Sequence, residues 1–134
     1  MTGSIEARGY AEASYVTLMR ALVVLLEFII FVPGYLKLLN AFLDKESLSK
    51  YKYILLFGVL NVPPMVFVDH GHFQFNQVMH GLVLWAIAFI LEEKVEFAVV
   101  AMVLAINFKQ MALYFALPFG VFALAILIRQ EKRE

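Results

Sequence analysis

Ala21-Leu22-Val23-Val24-Leu25-Leu26-Glu27-Phe28-Ile29-Ile30-Phe31-Val32 holds a single ionisable group, and it lies within a longer run from about Tyr15 to Leu43. A membrane span needs roughly 20 mostly apolar residues, and this run exceeds that. Four more apolar runs follow, at about 51–68, 76–91, 95–108 and 111–128. With 63% hydrophobic residues, 16% charged residues and a mean hydropathy of +0.81, the chain is too apolar to hide its side chains in a core of its own size. Soluble domains lie nearer ~45–50% apolar and ~25% charged. The bilayer is therefore the expected solvent. The fold class is all-α: one polytopic transmembrane region with about five helices, over 15–43, 51–68, 76–91, 95–108 and 111–128. The net charge of zero gives no electrostatic case for nucleic acid. The absence of cysteine excludes disulfides and thiolate metal sites. The polar start, with Glu6, Arg8 and Glu12, is not a cleavable signal peptide, so the first apolar run is left to act as an uncleaved insertion signal.

The breaks organise these runs. Pro33-Gly34 kinks the first helix rather than ending it, because a neighbouring helix can satisfy the freed carbonyl. Pro63-Pro64 marks a break near the far end of the second run, and Glu92-Glu93-Lys94 makes a tight polar turn. The third and fourth runs are short. Either their polar ends dip into a water-filled cavity, or the fourth and fifth form one broken helix with a re-entrant turn at Lys109. With five crossings, Arg8, Arg20 and Lys109 fall on the side of the N-terminus. Lys37, Lys45, Lys50, Lys52, Lys94, Arg129, Lys132 and Arg133 fall on the other, eight against three. The positive side is cytoplasmic. The N-terminal arm, 69–76 and 107–110 then face the lumen or exterior together, as one site built from three connections.

Asp69-His70-Gly71-His72-Phe73-Gln74-Phe75-Asn76 concentrates most of the chain's chemistry. A polar cluster at the edge of hydrocarbon must face water, a ligand or itself. Asp69, His70 and His72 offer metal-ligand chemistry, but i and i+2 neighbours converge only in an extended loop and no fourth ligand is apparent. The bland alternative has the histidines at helix ends, bonded to backbone carbonyls. The third reading is a hydrogen-bonding wall for a sugar or phosphate, in which Asp69, His70, His72, Gln74 and Asn76 supply donors and acceptors and Phe73 and Phe75 supply stacking surface. Lys109, in Asn107-Phe108-Lys109-Gln110-Met111, either snorkels to headgroups or pairs with an anion such as a lipid-carried phosphate. Arg20 and Glu27 are about 10 Å apart along one helix, too far to pair directly. Glu27 needs a partner, a proton or a place facing the bundle, and a helix–helix hydrogen bond serves it as well as catalysis. His80, beside Gly81, reads as a packed helix contact.

The stretch Asp69 to Asn76 resembles the signature of the endoplasmic-reticulum glucosyltransferases that use dolichyl-phosphate glucose. Arg8-Gly9-Tyr10, Met19-Arg20, Glu27, Gly81 to Trp85, Asn107 to Met111, Leu113-Tyr114 and Ala116 to Phe119 follow the same family order. Gly71 and Lys109-Gln110-Met111 look more like the enzyme adding the first glucose than its paralogue. The resemblance implies a GT-C membrane fold in the endoplasmic reticulum, with motifs facing the lumen. It implies inverting transfer without metal or cofactor, from a dolichyl-phosphate-glucose donor to a lipid-linked high-mannose oligosaccharide.

Family members are several times longer. Their first luminal loop carries an acidic residue regarded as the general base and an Asp-Tyr-Pro-Pro motif. Here the only Pro-Pro, Pro63-Pro64, follows Asn61-Val62. The chain thus looks like an internal piece of such an enzyme. No residue is assigned as base; Asp69 is a weak candidate. Asp69, His70, His72, Gln74 and Asn76 are expected to shape the donor or acceptor pocket, and Lys109 and Gln110 to contact phosphate. Two other classes compete: a non-catalytic membrane subunit that binds lipids or partner helices, and a small transporter with Asp69, Glu27 and Lys109 on its path.

Overall fold

A computed structural model describes residues 13–72 and 74–132. Arg8, Gly9, Tyr10, Phe73 and Arg133, on which parts of the sequence reading rest, lie outside the described residues. The helices are α1 (Ala13–Leu26), α2 (Val32–Phe42), α3 (Lys45–Leu60), α4 (Asn76–Leu91), α5 (Val95–Phe108) and α6 (Leu113–Glu131). Two π-helical turns, Glu27–Phe31 and Met65–His70, and a 3-10 turn, Gln110–Ala112, complete the elements. Among the described residues there is no strand.

Helix Ser14–Phe42, of 29 residues, and helix Gln110–Glu131, of 22 residues, are each long and apolar enough to cross a membrane; α4 and α5 are apolar but shorter. Their large side chains lie on the outside: Phe28 is 59% exposed, Ile29 57% and Leu117 79%. Water would penalise such surface by about 25 cal/mol per Å², a penalty that hydrocarbon does not impose.

The first helix runs on through Pro33. Proline lacks an N–H and crowds the carbonyl four residues back, and the π turn Glu27–Phe31 lies over that point. The neighbouring helix answers one of its carbonyls: the Trp85 indole N–H of α4 donates to the Ile30 carbonyl at 3.1 Å. The crossing is close because it is made by glycines. A Cβ on Gly81 would stand 2.8 Å from Phe31 Cα, and one on Gly34 would stand 2.9 Å from the Gly81 carbonyl oxygen.

The stretch expected as one span over 51–68 is two helices. The first, α3, ends at Leu60, where Asn61 Nδ2 donates to the Phe57 carbonyl at 2.7 Å. Pro63 and Pro64 then open a new helical segment that leads into the π turn Met65–His70. They start a helix instead of breaking one, because in a first turn the missing N–H has no partner to lose.

The centre of the packing is α4. Met79, Val83 and Ala86 meet Ala101, Met102 and Ala105 of α5, and the small residues let the helices approach closely. Ile90, Val95 and Ala98 pack with Ala123 of α6. The turn between α4 and α5 is a Schellman motif: Lys94 N–H donates to the Phe89 carbonyl, Glu93 N–H to Ile90, and Glu93 takes φ 59°. Contacts of the π turn and α2 with α4 advance together, from Glu27–Gln77 to Lys37–Glu92, so these helices run parallel. The Gln130 amide reaches the Glu93 carbonyl at 2.9 Å, so α6 runs antiparallel to α5, with Lys109 at the reversal. One end of the bundle thus gathers Glu27, Asp69, His70, Gln74, Asn76, Gln77 and Lys109. The other gathers Lys37, Glu92–Lys94 and Gln130.

Candidate functional site

The first end of the bundle is built on a capped helix. Phe75, just before α4, takes the left-handed conformation at φ 54°. For a residue with a Cβ that strains the backbone by about 1–2 kcal/mol. It lets the chain turn back so that Asp69, wholly buried, faces the first turn of α4. Gln77 N–H donates to Asp69 Oδ2 at 2.6 Å and Asn76 Nδ2 to Oδ1 at 2.7 Å. A carboxylate there satisfies an otherwise unpaired N–H and meets the positive end of the helix. Both carboxylate oxygens are therefore engaged in holding the helix start.

Glu27, at the first position of its π turn, is buried beside this cap. Its Oε1 accepts from Gln77 Nε2 at 3.0 Å and its Oε2 from His70 Nε2 at 2.9 Å. A buried carboxylate is sustained only by such donors. Lys109 closes the group from the α5–α6 reversal. Its ammonium donates to Asn76 Oδ1 and, at 3.2 Å, to the Gln74 carbonyl. Lys109 is half-buried, and among the described residues no carboxylate lies within ion-pair distance of it. The cation is held by neutral oxygens, which leaves its charge uncancelled at contact range.

The expected site residues separate into two groups. Asp69, His70, Gln74, Asn76 and Lys109 share one hydrogen-bonded group. His72 does not join it: it is exposed, with Nδ1 at 3.3 Å from the Phe67 carbonyl, as the helix-end reading has it. Gln110 is exposed at the start of the 3-10 turn after Lys109. Asn107 donates to the Val103 carbonyl of its own helix. His80 meets Phe115 edge to face, with ring centres 6.4 Å apart. His70 turns to Glu27 and His72 to a carbonyl, so the two do not converge with Asp69 on one point. Among the described residues no group of three or more His, Asp or Glu side chains is placed to hold a metal ion.

Glu27 and Gln77 are central to the site, yet the expected pocket included neither. The signal for Glu27 was its ionisable group in an apolar run; Gln77 carried none, since an amide after Asn76 reads as a helix start. Beneath the polar group lies an apolar cavity of about 310 Å³, lined by Phe31, Tyr35, Met65, His80 and Phe115 among others.

Residues 2–134 match the model described as the ALG6, ALG8 glycosyltransferase family. The chain is 37% identical over 126 residues to a probable dolichyl pyrophosphate Man9GlcNAc2 alpha-1,3-glucosyltransferase of Drosophila melanogaster, covering 94% of this chain and 26% of that protein. It is 36% identical to the mouse (Mus musculus) dolichyl pyrophosphate Man9GlcNAc2 alpha-1,3-glucosyltransferase, over 88% of this chain and 23% of the relative. Identity to the Saccharomyces cerevisiae protein of that name is 36%, over 81% and 20%. The chain spans about a quarter of the length of the curated relatives it matches. No solved structure matches it.

Proposed function

This chain belongs to the ALG6, ALG8 glycosyltransferase family, and we propose that it forms the substrate-holding quarter of an alpha-1,3-glucosyltransferase acting on lipid-linked Man9GlcNAc2. The observation that carries this reading is Lys109, an ammonium presented by Asn76 and Gln74 without a contacting carboxylate. Such a cation, at the rim of an apolar bundle, suits the phosphate of a polyprenyl-linked donor, dolichyl-phosphate glucose. Gln110 beside it and the amide of Gln74 offer further donors. The apolar cavity against α4 suits the lipid portion of either substrate. Asp69 serves the site by fixing α4 and not as base, since both its oxygens are occupied. The base that inversion requires then comes from elsewhere in the longer protein. The apolar helices Ser14–Phe42, α4, α5 and Gln110–Glu131, with the broken stretch over 51–68, are read as spans of a GT-C fold in the endoplasmic-reticulum membrane, with the Lys109 end facing the lumen. The eight-to-three charge asymmetry supports that orientation.

The test is a chimera in which this chain replaces the matching segment of the Saccharomyces cerevisiae relative, expressed in yeast lacking that enzyme. Appearance of monoglucosylated lipid-linked oligosaccharide is expected. A chimera present in the membrane that yields none would favour a non-catalytic, lipid- or partner-binding role. The transporter reading has no observation of its own to favour it.

A further inference from the structure

The Asp69–Asn76 stretch begins and ends at one side chain. Glu27 Oε2 accepts from His70, one residue after the stretch begins, and Oε1 accepts from Gln77, one residue after it ends. His70 is the last residue of one π turn and Glu27 the first of the other. Both π turns therefore deliver a residue to the same buried contact, and extra-residue turns of this kind recur where a helix is re-aimed for function. Gln77 is oriented by this contact: its amide N–H₂ goes to Glu27 while its own Oε1, buried, has no hydrogen-bond partner among the described residues.

We infer that Glu27 is a positioning residue that holds the two ends of the Asp69–Asn76 stretch together, through His70 and Gln77, and thereby sets where Lys109 presents its ammonium. The chain of contacts is continuous. Glu27 fixes Gln77, whose backbone N–H meets Asp69; Asp69 holds Asn76; Asn76 and the Gln74 carbonyl hold Lys109. Among the described residues Glu27 makes no hydrogen bond to Gln74, Asn76 or Lys109 itself. What the stretch serves rests on the glucosyl-transfer reading; the clamp rests on geometry alone.

The geometry also separates hydrogen bonding from charge. In Glu27→Gln the new amide oxygen still accepts from His70, and its N–H₂ donates to Gln77 Oε1 once that amide flips. Both arms survive without the carboxylate. In Glu27→Met, close in size, neither arm survives. The experiment uses the full-length chimera in sealed vesicles with its lumenal face outward, with two readouts. One is labelling of Lys109 by a membrane-impermeant amine reagent, followed on its own peptide by mass spectrometry. The other is kcat and KM for glucosyl transfer. Glu27→Met is expected to speed Lys109 labelling roughly fivefold and to lower kcat roughly tenfold. KM for the acceptor is expected to move less than kcat. Glu27→Gln is expected to stay within about threefold of the parent on both readouts, since it rebuilds both arms.

Parental labelling and kcat in Glu27→Met would overturn the inference. So would a Glu27→Gln variant as impaired as Glu27→Met, because charge and not the clamp would then be at work. If Glu27→Met fails to accumulate, Gln77→Met and His70→Phe sever one arm each. Raised Lys109 labelling in both supports the clamp, and parental labelling in both overturns it. A chimera that is inactive before any substitution overturns the glucosyl-transfer reading while the labelling arm still decides the clamp.

Discussion

The π turn Glu27–Phe31 with α2, on one side, and α4 on the other are fastened to each other at both ends, by different means. At one end the Glu27–Gln77 bond is buried and belongs to a group that includes Asp69, His70, Asn76 and Lys109. At the other, Glu92 bridges Lys37 at 2.6 Å and Lys94 at 2.8 Å with side chains partly open to solvent. Buried polar groups are expensive to leave unpaired, whereas exposed ion pairs contribute about 0–1 kcal/mol. The bundle is thus rigid where its chemistry sits and forgiving at the far turn. That turn takes its shape from the Schellman backbone bonds rather than from its charges.

The contrast breaks most readily at Asp69. Replacing it with Ala removes the acceptor of Gln77 N–H and Asn76 Nδ2 together, and is expected to destabilise the protein by about 3 kcal/mol. Thermal unfolding in detergent would measure this, and a loss comparable to that of Glu92→Ala would erase the difference between the ends. Next comes Gly81→Ala, between the two ends. Its Cβ would press on Phe31 backbone atoms at 2.8 and 2.9 Å, so about 2 kcal/mol is expected to be lost. Gly58→Ala has no such neighbour and is the control in the same assay. Lys109→Met leaves the bundle nearly as stable but is expected to weaken donor binding roughly tenfold, the worth of one charge-assisted contact. Unchanged donor affinity would remove Lys109 from phosphate recognition. The smallest effect is expected at Glu92. Hydrogen bonds from Lys37 and then Lys94 hold its carboxyl below the ordinary glutamate range. A depressed folded-state value adds stability above the ordinary range, and that stability is lost as pH falls through the depressed value. With solvent screening this amounts to less than about 1 kcal/mol, so Glu92→Gln should flatten the acid limb of a stability–pH profile only slightly.

How much of this is legible in the sequence differs by region. The limits of α4 and α5 coincide with the polar residues that flank them, Asn76 and Glu92 for one, Lys94 and Lys109 for the other. The meeting of Lys109 with Asn76 follows from placing both connections on one side, which the basic residues suggest. The second run was less legible because Pro63-Pro64 reads equally as a stop and a start; Asn61 closing α3 tips it to a start. Glu27 was legible as a problem but not as a solution. Its partners lie 43 and 50 positions away, and the turn that aims it at them leaves no periodic mark in the chain. His72 looked equivalent to His70 by spacing. It differs because the helix continues through Gly71 and His72, and residues two apart on a helix point to nearly opposite sides.

The π turn Glu27–Phe31 also sets how this helix tolerates changes of length. It holds one residue more than an α-helical turn would. Deleting one of its residues would let an unbroken α-helix form with the faces of α1 and α2 kept, because the wide turn is where the surplus residue is absorbed. The same deletion between Val24 and Leu26, in ordinary α-helix, would turn everything before it by roughly 100° against α2. Val23, now buried at 2% exposure, would then swing out toward the surroundings. The turn is thus a place where the helix can lose a residue without changing the face that α1 offers to everything packed against it.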